Sequence, residues 1–235
     1  LQRTTNKKPI DVTDLKGISF IDTKKKELKK YYLYSTTKWN ESFVAICPPK
    51  EVFKAPILLS TKGVDSYFNM KSAISYNDVI FTDSLLALKA KDTSEIDILR
   101  SISAIWNSSL TTAFITLTAS SIGIEREQLH IEEKLNIPFV TNNNLQNLYV
   151  EAEKYSKLYY SNSMIDDSVL NNLSETITRI DLELFELFKI SNQEKSLIDY
   201  INNITIPTLK KDTVRSKKVF SKLKYESEVL NEYAR

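Results

Sequence analysis

Apolar positions along the chain change their spacing near residue 90. Before it they fall in short runs: Tyr31, Tyr32, Leu33 and Tyr34; Phe43, Val44, Ala45 and Ile46; Ala55 through Leu59; then Ile74, Tyr76, Val79, Ile80 and Phe81. Short aromatic and aliphatic runs separated by polar or Pro-bearing segments predict strands between Ile18 and Phe81. Pro48 and Pro49 close the second run, because neither can donate to a strand ladder.

After residue 90 the spacing is helical. Ile96, Leu99, Ile102, Trp106, Leu110, Ala113 and Leu117 predict one helix, entered through a cap-like Asp92 and Glu95 and ended before Gly123, which takes positive φ without cost. Leu129 to Phe139 predicts a strand with a proline stop. Beyond Thr141, Leu145, Leu148, Ala152, Tyr155 and Tyr159 stripe one helix, and Leu173, Ile177, Ile180, Leu184 and Leu187 stripe another. Ser191 and Glu194 form a capping box before a third. Pro207 starts a new segment, and a lysine-rich stretch from Lys210 to Lys224 leads into a last helix. The predicted fold is α+β: an irregular, twisted antiparallel β region with one buried helix, followed by a helical C-terminal portion. A β-rich domain over 1–140 and a helical region over 141–235 follow from this pattern. The chain opens on Leu1 and stops in mid-pattern at Arg235, as expected of a piece of a longer protein.

Composition narrows the class. With 235 residues, 42% hydrophobic and 26% charged, the chain can bury an ordinary globular core. A single cysteine, Cys47, excludes a disulfide framework, and no signal peptide opens the chain, so a cytoplasmic location is expected. Positions 101–124 hold no charge, but eleven of those 24 are Ser, Thr or Asn, too polar for a lipid-facing span. Net charge is +2, unevenly spread: residues 1–90 carry 15 Lys or Arg against 9 Asp or Glu. The first part of the chain is therefore the candidate nucleic-acid side, with a solvated lysine-rich surface as the competing explanation.

Several chemistries are missing. Gly17, Gly63 and Gly123 are the only glycines, too few for a Gly-rich nucleotide loop. The one Pro-Pro pair, in Cys47 to Lys50, lacks the leading amide or acid and the trailing aromatic that hold a flipped adenine. His130 is the only histidine, which excludes a multi-histidine metal site. The acid pairs Asp166 with Asp167 and Glu132 with Glu133 fit solvated faces. No catalytic residue and no metal ligand set is identified.

A series of short motifs carries a family resemblance. In order they are Ala55 to Leu59 with Ser60 to Lys62; Ala73 to Tyr76 running through Asn77 and Asp78 to Asp83 and Ser84; Asn107 to Ser109; Ser120 through Glu127; Asn136 through Phe139; and the helical segment from Ile180 to Ile198. The order resembles the target-recognition domains of TaqI-like N6-adenine-specific DNA methyltransferases of restriction-modification systems, and more distantly type I restriction specificity subunits. It covers roughly residues 50 to 205. The resemblance implies double-stranded DNA as a partner, together with a catalytic methyltransferase domain of the same chain that uses S-adenosylmethionine; this piece would itself be catalytically silent. Family members often carry an aromatic where this chain has Ile122.

Base reading needs side chains that reach base edges. The segment Ser60 to Lys71 offers Lys62, Gly63, Tyr67, Asn69 and Lys71 on a loop with one hinge-like glycine. Lys24, Lys25 and Lys26, with Lys29 and Lys30, suit phosphates, which supply affinity without sequence information; an exposed lysine run explains them equally. Arg126 is a DNA or domain contact, or else a local partner of Glu125. Asn107, Ser108 and Ser109 are expected to serve helix packing. Two rivals stay open: a type I specificity subunit, and a helical protein-interaction scaffold without DNA binding.

Overall fold

The computed structural model describes residues 9–120, 128–161 and 167–209. Eight strands occupy the first part of the chain: β1 (Ile10–Asp11), β2 (Ser19–Ile21), β3 (Thr37–Lys38), β4 (Phe43–Val44), β5 (Ile57–Thr61), β6 (Ser72–Ser75), β7 (Val79–Phe81) and β8 (Leu85–Lys89). Seven helices follow: α1 (Ile96–Asn107), α2 (Ser109–Thr118), α3 (Ile131–Leu135), α4 (Asn143–Ser161), α5 (Asp167–Leu187), α6 (Asn192–Tyr200) and α7 (Ile206–Leu209). The fold is α+β with a helical C-terminal portion, as the spacing predicts.

The central sheet has the order β6-β5-β8, all antiparallel, with Ser60 opposite both Ser72 and Leu86. Side chains alternate across it. Leu58 and Ile74 enter one core with Trp106, Leu145, Tyr149, Ile180 and Leu184, so this core draws on both sides of position 140. Ile57, Leu59 and Ala73 enter a second core with Phe20, Ile21, Trp39, Phe53 and Ile80. Covering on both faces explains why β5 reads as an unbroken apolar run with no alternation.

Four expectations need correction. The β region is not purely antiparallel: β2 pairs with β7 in parallel while pairing with β3 antiparallel. Residue runs mark strands but carry no record of which distant strand lies alongside. The helix expected from residue 92 to Gly123 is two helices, because Ser108 is extended (φ −75, ψ 160) and its hydroxyl accepts the Thr111 N–H as an N-cap. Leu129 to Phe139 is not a strand but contains α3, where Glu133 reaches back to accept the His130 N–H at 2.8 Å and also the Ser120 N–H at 2.9 Å. Pro207 does not start a new segment. A π turn at Ile201–Thr205 carries α6 into α7, with the Ile206 N–H bonded to the Ile201 carbonyl. That wider turn relieves the clash a proline ring makes with the preceding turn.

Other expectations stand. Asp92 accepts the Ser94 N–H at the entry to α1, and Ser191 with Glu194 forms the capping box of α6. No helix among the described residues is long and apolar enough to cross a membrane. Gly123, Glu125 and Arg126, and the stretch from Lys210 onward, lie outside the described residues.

The open edge of β6 is closed by side chains. Asn107 accepts the Ser72 N–H at 2.9 Å through Oδ1 and donates to the Ser72 carbonyl at 2.8 Å through Nδ2, as a neighbouring strand would. Two residues further along the strand, the Tyr149 hydroxyl accepts the Ile74 N–H at 3.2 Å. Unpaired strand groups in a core carry a desolvation penalty, and these two residues remove it. Asn107 thus does more than the packing role expected of it.

Candidate nucleic-acid interface

The lysine run ends in a tight turn. Lys29 donates its N–H to the Tyr32 carbonyl at 2.8 Å, and Leu28 pairs with Leu33 in an isolated antiparallel bridge. Tyr31, expected within a strand, instead sits at the tip with φ 63 and its side chain buried, edge-on to Tyr149 at 5.8 Å. A left-handed residue costs about 1–2 kcal/mol. Burying a large ring returns roughly 1.5–3 kcal/mol but leaves the Tyr31 hydroxyl buried without a partner, and the Tyr31 N–H donated to the Ser72 carbonyl at 3.0 Å helps to hold the turn.

Lys30, next to it, also points inward. Its Nζ donates to Asn69 Oδ1 at 3.0 Å and to the Asn107 carbonyl at 2.9 Å. That carbonyl belongs to the last residue of α1, where the helix dipole favours a cation. Burial lowers the Lys30 pKa, while the Asp181 and Asp65 carboxylates pull it back up. Lys30 is a structural cation, not a phosphate contact.

Lys29 stays nearer the surface. Its pKa is lowered by partial burial and by two nearby positive charges, Lys71 and Lys26. Lysines from two parts of the chain, the 26–29 run and Lys71, are thus near neighbours. Asp65 lies 3.6 Å from Lys71, a partly exposed pair that offsets part of the positive charge of the patch and adds little stability. Lys24 and Lys25 are exposed on a 3-10 turn held by the Asp22 side chain, which accepts the Lys24 N–H at 2.9 Å.

The predicted reading loop is less free than its sequence suggests. Asp65 Oδ1 accepts the N–H groups of Tyr67 at 2.9 Å and Asn69 at 3.0 Å, folding the loop over itself. The Asn69 amide oxygen is taken by Lys30 and lies 3.3 Å from the Thr112 hydroxyl. Gly63 forms a bridge with Gln128, and its carbonyl accepts the Thr61 hydroxyl at 2.6 Å. The glycine is pinned, not a hinge.

Lys62 is exposed but belongs to a different neighbourhood, beside Lys134. Lys134 is 2% exposed, donates to the Ser60 hydroxyl at 3.2 Å and to the Thr61 carbonyl, and lies 5.8 Å from the Trp106 ring centre. Burial, with Lys62 adding repulsion, lowers its pKa to about 7. Both lysines line a cleft of 690 Å³ with Asp83, His130 and apolar side chains of β8.

The structure therefore brings Lys71 and Lys26 together through Lys29, sets Lys62 and Gly63 beside Gln128 and Lys134, and turns Asn69 inward. Sequence reasoning missed Lys134, and it missed the tyrosines Tyr32, Tyr34 and Tyr160 that flank the lysine patch. The interleaving of Lys29 and Lys30 with Tyr31, Tyr32 and Tyr34 was the available signal for the tyrosines. Among the described residues no group of His, Cys, Asp or Glu could hold a metal ion. No protein-family model and no curated protein matches the chain.

Proposed function

We propose that this chain is the DNA target-recognition part of an N6-adenine-specific DNA methyltransferase of a restriction-modification system. Its partners in that reading are double-stranded DNA and a catalytic domain of the same protein, which binds S-adenosylmethionine and transfers the methyl group. The observation that carries the DNA-binding element is that Lys26 and Lys71 lie close enough to Lys29 to act on its charge, with Asp65 paired to Lys71. The methyltransferase assignment rests on the ordered motif resemblance. Clustered cations release counterions from a phosphate backbone and give salt-dependent affinity. Lys71 and Lys62 are the loop residues with charge to offer the duplex, and Asn69 drops out because its oxygen is already bonded.

Binding of a duplex by the chain, followed by fluorescence anisotropy across salt concentrations, tests this reading. Affinity should fall steeply with salt. The double variant Lys29→Glu with Lys71→Glu should weaken binding by about tenfold or more and flatten the salt slope by about 1–2, whereas Lys54→Glu, on an exposed position elsewhere, should do little. Salt-insensitive or absent duplex binding would remove the proposal. Transfer of labelled methyl groups by the chain alone would overturn the division of labour.

A further inference from the structure

Beside the lysine patch stands an array of tyrosines that neither core uses. Tyr32 and Tyr160 lie within 9° of parallel with ring centres 6.5 Å apart, and Tyr34 stacks on Tyr32 at 6.1 Å and 25°. Tyr159 meets Tyr160 edge-on at 4.9 Å, and Lys29 Nζ lies 5.2 Å from the Tyr160 ring centre. A hydroxyl contact of 3.2 Å between Tyr32 and Ser161 fixes the junction of the turn with the end of α4. Tyr31 and Tyr149, one residue and eleven residues away, are wholly buried, whereas Tyr160 is 42% exposed. Tyr32, Tyr34 and Tyr160 belong to neither apolar cluster.

We propose that Tyr32, Tyr34 and Tyr160, edged by Lys26, Lys29 and Lys71, form a stacking surface for the unpaired bases of single-stranded DNA. The inference rests on the reading of this face as a DNA-binding surface and adds single strands with unpaired bases to the duplex already proposed. Aromatic faces recognise the flat faces of bases, and inside a duplex those faces are covered by neighbouring pairs, leaving only edges in the grooves. Half-exposed rings among lysines therefore suit a strand whose bases are free, with the lysines following its phosphates. Rings drawn from the turn and from α4 are held at fixed angles before any ligand arrives, so little ordering is needed on binding.

The experiment compares three labelled probes on the whole chain at low salt: a short single strand of thymidines, the same length of abasic backbone, and a duplex. The thymidine strand should bind more tightly than the abasic strand. Tyr160→Leu with Tyr32→Leu should weaken thymidine binding by about tenfold while changing abasic and duplex binding by less than about twofold. Tyr160→Phe, which keeps the ring, should retain binding, and an unchanged urea midpoint confirms that each variant is folded. Equal affinity for thymidine and abasic strands overturns the stacking surface, as does an equal loss on all three probes. If the duplex binds through Lys29 and Lys71 but thymidines gain nothing over abasic backbone, only the stacking inference falls. If neither strand nor duplex binds, the DNA reading falls with it.

Discussion

Two lysines held by the fold, half-buried Lys30 and buried Lys134, show how differently one residue type can be taken from solvent. Lys30 meets a helix C-terminus and an amide oxygen and has Asp181 and Asp65 within electrostatic reach, so its neighbours restore part of the charge that burial penalises. Lys134 meets a hydroxyl, a carbonyl and a ring face, and the one nearby charge that acts on it is Lys62, of the same sign. The first stabilises the joint between the turn, the loop and α1. The second gains its hydrogen bonds only against a desolvation penalty that no counter-charge offsets.

The largest way to break this comparison is Asn107→Leu. It removes the side chain that pairs the edge of β6 and leaves the Ser72 N–H buried without an acceptor, for an expected loss of about 3 kcal/mol in urea unfolding. An unchanged midpoint would mean that the edge finds another partner. Next come the two lysines themselves. Lys30→Met should destabilise by about 2 kcal/mol, because the Asn107 carbonyl and Asn69 oxygen lose their donor. Lys134→Met should stabilise by about 1–2 kcal/mol at pH 6, since an uncompensated cation gives way to an apolar chain of similar length. If both variants move stability in the same direction, the contrast is wrong.

The pH dependence sharpens the same point. The folded pKa of Lys134 is about 7 against an ordinary 10.5, so between those values the unfolded chain binds a proton that the folded chain lacks. Stability contributed at this site therefore rises with pH across that window, by up to ~1.4 kcal/mol per unit, and the penalty is complete below pH 7. In Lys134→Met that rise should vanish from a series of unfolding curves taken from pH 6 to pH 10. The smallest effect is expected for Ser108→Ala, which removes the N-cap of α2 beside the Lys30 joint and should cost about 1 kcal/mol.

Much of the fold was legible because it follows from local spacing. The run at Leu58 and Leu59 gave β5, the stripes from Leu145 and Leu173 gave α4 and α5, and Ser191 with Glu194 gave the start of α6. The misreadings share a cause. Leu129, Ile131, Leu135, Ile137 and Phe139 alternate like a strand, and in that reading Lys134 faces solvent. Glu133, three residues after His130, was the competing signal for a helix start, and it prevails because its carboxylate finds N–H groups at His130 and Ser120. Likewise Ser108 sat inside an uninterrupted uncharged stripe, where only its hydroxyl marked a break.

The candidate site was legible only in part. Lys71 and the Lys24 to Lys26 run could be named as basic residues from the sequence, but Asn69 looked as available as Lys71. Its oxygen is closed off by Lys30, a residue 39 positions earlier that reads in sequence as one more surface lysine. By itself the sequence determined the main strands, the helices α4 to α6, the capping box of α6 and the lack of a Gly-rich cofactor loop, because each depends on neighbours within a few positions. Only the tertiary structure decided that β2 lies parallel to β7, that Lys134 is buried and Lys30 is bonded to Asn69 and Asn107, and that Lys26, Lys29 and Lys71 lie near one another, with Lys29 over the Tyr160 ring. Charge and ring contacts act through space at distances of a few ångströms, and those distances are set by how the chain packs, not by the order of its residues.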